Sequence, residues 1–371
     1  MLMKVVAVTT WFPTKVAPTS GTFTHADIQA IRTRKEVSDI RVVHLVPPHQ
    51  DDGTRHLTHE GLDVVRIPMS TRSPVGIARA GRALRQQLRG ADVVHTMAFS
   101  TLLPMAWWRP RAPWVHTEHW SALTTPSTVP LSWRLALPLL WPLLRRPDVV
   151  TAVCDYLARP IRNRRGSAPT VVIPCIVPPP EHLDERPIRP RNPTRLVAVG
   201  GLVDRKDPLL AVDTVAELAD RGTPARLTWV GEGPLREKVA RRARKKKVAD
   251  LVRLPGGADA AGVRAALAAA DLFFLPTKGE NFCVSAAEAL VAGRPVVVGA
   301  TGGQGEYIDP RVGALVSEQE PEAYAEAISA VEHRTRHLNA SDVAATIGDR
   351  FAADQVAAQY ADVYTRATRC D

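Results

Sequence analysis

The stretch from Leu275 to Glu306, LPTKGENFCVSAAEALVAGRPVVVGATGGQGE, decides the fold class. Leu272 to Leu275 is a short apolar run closed by Pro276, the signature of a buried strand. Phe282 to Ala292 carries apolar residues at helical spacing, Gly293 closes that helix, and Pro295 opens a second strand at Val296 to Val298. A strand, helix and strand in this order predict parallel pairing. The loop 276 to 283 and the helix N-terminus then lie at the carboxyl edge of the sheet, where α/β proteins bind ligands. The amides of Cys283, Val284 and Ser285 open the helix, and such a terminus favours phosphate. Two carboxylates frame that position. Glu280 precedes the helix, and Glu288 lies roughly 6 to 8 Å along its axis, at about 1.5 Å per residue. Taken alone, the pair also reads as two solvated glutamates beside an ordinary helix.

The spacing of Glu, seven residues and Glu, followed by Ala-Leu, Gly-Arg-Pro-Val-Val-Val and Gly-Gly-Gln-Gly-Glu, resembles the retaining family-4 glycosyltransferases (glycosyl transferases group 1). That resemblance implies the GT-B fold: α/β, with two doubly wound Rossmann-like domains facing a cleft. It implies that Glu280 contacts a donor sugar, that the amides of Phe282, Cys283 and Val284 hold the distal phosphate, and that Glu288 bonds the ribose. Asn281 and Cys283 depart from the pattern, since glycines are common at both places in the family, and a stiffer loop follows.

With 371 residues the chain is too long for one ordinary core and suits two domains. The divisions expected are an acceptor-side domain over 1–178, a linker over 179–194, a nucleotide-sugar domain over 195–349, and a last helix over 350–371 that the resemblance returns to the first domain. The linker is read from six prolines and many charges without periodicity in PPPEHLDERPIRPRNPTR. The four cysteines, Cys154, Cys175, Cys283 and Cys370, form no Cys-x-x-Cys pair, so neither a disulfide framework nor a zinc site is indicated.

The opening MLMKVVAVTTWFP reads as a first strand and not a signal peptide, so cytoplasmic residence is expected. LALPLLWPLL at 135 to 144 is broken twice by proline and falls short of a bilayer span. It reads as a core helix; Trp133, Trp141, Arg145 and Arg146 keep a membrane-surface helix, and with it a peripheral contact at the inner membrane face, as the alternative. The net charge of +10 is spread through a chain rich in Ala, Arg and Pro, and is weak evidence for an anionic partner. Its densest run, REKVARRARKKK at 236 to 247, has no interleaved aromatics and reads as a solvated helix face, so no nucleic-acid partner is expected.

No Gly-x-Gly-x-x-Gly follows the first strand, which disfavours a nicotinamide or flavin dinucleotide there. Gly21, before a helix expected over Thr22 to Arg34, instead resembles the family's glycine loop over the donor phosphates. Strands are expected at Arg41 to Val46, Asp63 to Ile67, Val93 to His95 and Trp114 to Thr117, in the rhythm of a doubly wound sheet. His95 and His119 stand at strand ends, where a lone histidine is often structural; the resemblance assigns His119 to the donor sugar. In the second half, Lys206 falls where the family pairs a lysine with the donor diphosphate. The companion arginine position is occupied by Gly201, and Arg205 supplies a nearby guanidinium. Gly231 lies in the family's Gly-x-Gly-Pro turn, and the loop Pro255 to Ala258 falls where a nucleobase is held.

The expected activity is retaining, metal-independent transfer from a UDP- or GDP-linked nucleotide-diphospho-sugar, with no cofactor; no Asp-x-Asp is present to hold a metal. A glycan, lipid-linked or small-molecule acceptor is open. Trp11, Trp107, Trp108, Trp114 and Trp120, with Arg109, Arg111, Arg145 and Arg146, favour an anionic or lipid-linked glycan over a natural-product aglycone, though they also read as core and composition. The other class is a non-transferase relative, either a nucleotide-sugar epimerase or a binding module.

Overall fold

A computed structural model describes residues 2–18, 20–126, 131–186 and 192–369. Cys370 and residues 187–191 of the expected linker lie outside the described residues. The chain forms two compact units, Met1–Ile176 with Phe351–Asp371, and Val177–Arg350.

In the first unit eight strands run β1 Met3–Thr9, β2 Val37–Val46, β3 His56–His59, β4 Leu62–Pro68, β5 Val93–Met97, β6 Trp114–Glu118, β7 Val149–Ala152 and β8 Thr170–Val172. Their spatial order is β3-β4-β2-β1-β5-β6-β7-β8, and every pair is parallel except β3 with β4. The central strands are apolar on both faces: Val5, Ala7 and Val8 of β1 are all buried, as a sheet covered on both sides requires. The helices are α1 Thr22–Arg32, α2 Pro74–Gln87, α3 Leu131–Leu140 and α4 Asp155–Arg165.

One expectation fails here. The 135–144 stretch is not a core helix: in α3 only Leu137 is buried, while Leu131, Leu135 and Leu139 are 64%, 71% and 82% exposed. Their four-residue spacing puts them on one face. Apolar composition promises burial, but a helix apolar on several sides has only one side to give to the core. Trp141 and Leu144, in the single 3-10 turn that follows, supply the rest of the buried contact.

The second unit contains β9 Thr194–Val199, β10 Ala225–Val230, β11 Val252–Gly256, β12 Leu272–Leu275, β13 Val296–Gly299 and β14 Gly313–Val316. Between them run α5 Pro208–Asp220, α6 Arg236–Lys245, α7 Ala260–Ala268 and α8 Val284–Val291, followed by α9 Pro321–Thr335 and α10 Ala340–Ala345. All strand pairs are parallel in the order β11-β10-β9-β12-β13-β14. The basic run forms α6, which buries Val239 and Ala243 and turns most of its charge to solvent. Arg186 fixes part of the expected linker to this unit. Its guanidinium is buried and donates to the carbonyls of Thr335 and Leu338, at 2.6 and 3.0 Å.

The last helix, α11 Ala353–Ala367, belongs to the first unit and packs on α1. Tyr360 and Tyr364 carry the docking. The Tyr364 hydroxyl lies 2.6 Å from His95 Nδ1, and His95 Nε2 lies 2.6 Å from the Thr117 hydroxyl. Burial pushes His95 down to about 3, so it is a neutral core link. Asp27 of α1 is buried beside Tyr360; burial raises its carboxyl to about 8, against a bond from the Tyr360 hydroxyl.

Candidate active site

In the second unit the strand order reverses between β9 and β12, so the loops 200–207 and 276–283 leave the same sheet edge on either side of a switch point. The two loops are joined by hydrogen bonds. The Thr277 hydroxyl donates to the Arg205 carbonyl at 3.1 Å, and the Lys278 amide donates to the same carbonyl at 2.8 Å. From this frame Lys206 Nζ reaches to 3.0 Å from Glu280 Oε1, and Arg205 Nη1 to 2.6 Å from the same oxygen. Both contacts are ion pairs. Arg205 Nη1 also donates to the Gly279 carbonyl at 2.8 Å. Burial pushes the Glu280 carboxyl up, but the charges of Lys206 and Arg205 outweigh it and hold the pKa below the ordinary glutamate value.

A second contact fixes Glu280 from the other side. Its amide donates to the Thr301 carbonyl at 3.1 Å, and the Gly303 amide donates to the Asn281 carbonyl at 2.8 Å. Gly302 makes this close approach feasible, because a Cβ there would lie 2.0 Å from the Glu280 carbonyl oxygen.

The helix expected from Phe282 begins two residues later, at Val284. Cys283 caps it with φ +62, the left-handed conformation a glycine would adopt, and Phe282 belongs to the loop. The Tyr307 hydroxyl is shared between the carbonyls of Phe282 and Cys283, at 2.9 and 2.7 Å, and so braces the strained turn. Burial, then the charge of Glu280, pushes the Cys283 thiol up to about 12. Glu288, inside α8, is raised to about 7 by burial, with the Lys206 charge pulling the other way. One lysine therefore acts on both carboxylates. Gly231 closes β10 at the same edge, where its amide donates to the Gly256 carbonyl at 2.8 Å.

In the first unit the order reverses between β1 and β5, and the Thr10 and Ser100 hydroxyls meet there at 2.7 Å. Gly21 caps α1 with φ +68, and a Cβ would fall 2.1 Å from the Trp11 carbonyl oxygen, so this turn admits only glycine. Two residues on, the Phe23 ring packs against His119 with centroids 4.8 Å apart. Gly21 and His119 thus share one neighbourhood. Burial pushes His119 down to about 4 against the pull of Glu118, which leaves a neutral ring with one donor and one acceptor nitrogen.

Glu118 was not foreseen. It is fully buried, and its Oε1 accepts the backbone amides of both His119 and Trp120 at 2.8 Å. Its Oε2 lies 3.3 Å from His116 Nε2, while His116 Nδ1 meets the Thr96 hydroxyl at 2.9 Å. Tyr307 was missed as well. Neither stands in a spacing pattern that would single it out.

Two family profiles match the chain: one described as glycosyl transferase 4-like domain over residues 28–175, the other as glycosyl transferases group 1 over residues 193–333. A GDP-mannose-dependent α-(1-6)-phosphatidylinositol monomannoside mannosyltransferase of Mycobacterium tuberculosis is 30% identical over 294 residues, 72% of this chain and 74% of the relative. The chain belongs to the glycosyl transferases group 1 family. The corresponding dimannoside mannosyltransferase from the same organism is 34% identical over 198 residues, 50% of this chain and 49% of its own. The chain thus spans about half the length of some curated relatives it matches. Among solved structures, sucrose-phosphate synthase from Thermosynechococcus elongatus superposes with a TM-score of 0.78 at 19% identity, covering 99% of this chain and 100% of that one. The fold is GT-B. As a group 1 glycosyltransferase family member, the chain carries its densest motif, from Leu275 to Glu306, within the 193–333 match.

Proposed function

We propose that the protein is a retaining glycosyltransferase that moves a sugar from a UDP- or GDP-linked donor to an acceptor hydroxyl. One observation carries this reading: Lys206 stands at the β9/β12 switch point, in ion-pair contact with Glu280 and within electrostatic reach of Glu288. Lys206, Arg205 and the amides of Phe282, Cys283 and Val284, in the turn that leads into α8, neutralise the departing diphosphate. Glu288 takes the ribose, and Gly231 and the Pro255 to Ala258 loop border the base. In the second unit Glu280 is assigned to the sugar; in the first unit the family resemblance assigns His119 to the donor sugar and the turn at Gly21 to the donor phosphates.

The state of Glu280 supports retention without an enzymic base. A carboxylate held by two cations is a weak nucleophile and a weak base, which favours a diphosphate oxygen as the acceptor of the incoming hydroxyl's proton. The same cations supply the charge that makes a metal unnecessary.

For the acceptor we favour a lipid-linked or anionic glycan in polysaccharide or glycoconjugate assembly at the cytoplasmic face of a membrane. The relatives that act on phosphatidylinositol mannosides support this, as does the exposed row Leu131, Leu135 and Leu139, which suits a peripheral membrane contact.

The test is nucleoside-diphosphate release across UDP- and GDP-sugars, first without acceptor, then with lipid-linked sugars, anionic oligosaccharides and small aglycones. Release stimulated by a lipid-linked or anionic glycan, with the donor's anomeric configuration kept in the product, is the expected result. Formation of an epimer without acceptor would replace the transferase with an epimerase.

A further inference from the structure

The β3–β4 hairpin and α1 bring together three side chains that the reading above does not use. His25 lies on α1, His59 ends β3, and Glu60 forms the turn. Their ligating atoms all lie within 4.8 Å of one another. We propose that His25, His59 and Glu60 bind one divalent transition-metal ion that clips α1 to the hairpin.

Two features argue for a built site over a chance cluster. First, the two imidazoles stand 5.1 Å apart, centroid to centroid, and both set their edges against the buried Phe12 ring at 5.5 Å. That apolar floor orients both rings and keeps water from one side. Second, Glu60 and Gly61, at φ +48 and +80, form the two-residue turn that joins β3 to β4 and sets Glu60 directly after His59. The turn is tied to α1, since the Glu60 carbonyl accepts Gln29 Nε2 at 3.0 Å and Arg32 Nη1 at 3.4 Å. The Glu60 carboxylate lies 3.5 Å from His25 Nε2.

Two nitrogens and one carboxylate suit zinc and its neighbours, with coordination completed by water; magnesium and calcium prefer oxygen alone. Gln29 Nε2, 3.2 Å from His25 Nε2 and 3.0 Å from the Glu60 carbonyl, has to give up the first of these contacts for His25 to ligate through Nε2. The Arg32 charge opposes a cation and sets a ceiling on affinity.

The test uses the full chain, stripped with chelator, titrated with zinc chloride by calorimetry and with cobalt(II) by visible absorption. One equivalent should bind, and zinc should raise the melting temperature, whereas magnesium should do neither. His59→Gln and Glu60→Gln should each weaken binding at least about tenfold, since even outer partners of a metal site cost that much. His56→Gln, exposed on the same strand, should bind as the parent does. Metal-free melting of His59→Gln at the parent temperature shows that the fold is intact. The proposal is overturned by the absence of saturable zinc binding, by binding unchanged in His59→Gln, or by binding lost equally in His56→Gln.

Discussion

Lys206 and Glu280 form an ion pair at 3.0 Å with their side chains only 13% and 12% exposed, so the cation proposed for the diphosphate is engaged by the carboxylate proposed for the sugar. The two roles are coupled. Whatever strengthens one contact weakens the other.

That coupling predicts opposite effects from removing each partner. Lys206→Ala should raise the dissociation constant of the free nucleoside diphosphate about tenfold or more, because a charge-assisted contact contributes about 1.5 to 3 kcal/mol. Glu280→Gln should leave that affinity unchanged or tighten it, since it frees the lysine, while turnover of the sugar donor falls. Calorimetry and a release assay read the two quantities separately. Equal weakening by both variants would refute the coupling.

Glu288 predicts a pH dependence. Its carboxyl, raised by burial to about 7, is charged above that pH and protonated below it. The ionised form is the stronger acceptor for ribose hydroxyls, so nucleoside-diphosphate affinity should decline as pH falls through about 7. Glu288→Gln retains the titration of the diphosphate itself but loses this component. Superimposable pH profiles for the two proteins would remove Glu288 from the ribose.

Asp27 predicts a stability slope. Its folded carboxyl holds its proton up to about 8, while the unfolded one releases it near 3.8, as a solvated aspartate does. The folded state therefore binds more protons between those values, and stability is lost as pH rises from about 4 to about 8. Asp27→Asn should melt at nearly the parent temperature at about pH 4 and above it at about pH 8. Parallel curves for parent and variant across that range would count against a buried, protonated Asp27.

The face of α3 gives a contrast within one helix. Leu137→Ala should destabilise by about 2 to 5 kcal/mol, as core truncations do. Leu135→Ala and Leu139→Ala should stay within about 0.5 kcal/mol, yet reduce sedimentation with anionic vesicles. Denaturant curves check the first pair of statements. Vesicle binding untouched by the double variant would mean that this face has another use.

The sequence made some of this legible and hid the rest for physical reasons. Pro276, Gly293 and Pro295 punctuate β12, α8 and β13, because each imposes a backbone rule that no distant contact has to supply. The start of α8 was misread by two residues because Cys283 adopts φ +62, and nothing local announces a left-handed cysteine. Its support, Tyr307, lies 24 residues on. Glu118 escaped notice likewise, since its value lies in accepting two amides at a strand end. In α3, leucines on several sides of the helix fixed the element but left open which face is buried.

The return of α11 has a consequence for the order of synthesis. The segment 177–350 contains every residue of its own unit, so it can complete its core as soon as it has been made. The unit begun earlier cannot, because Tyr360 and Tyr364 arrive only with residues 351–371. Until then His95 and Asp27 lack their cover, and the part of the chain that a ribosome delivers first is the part that is finished last.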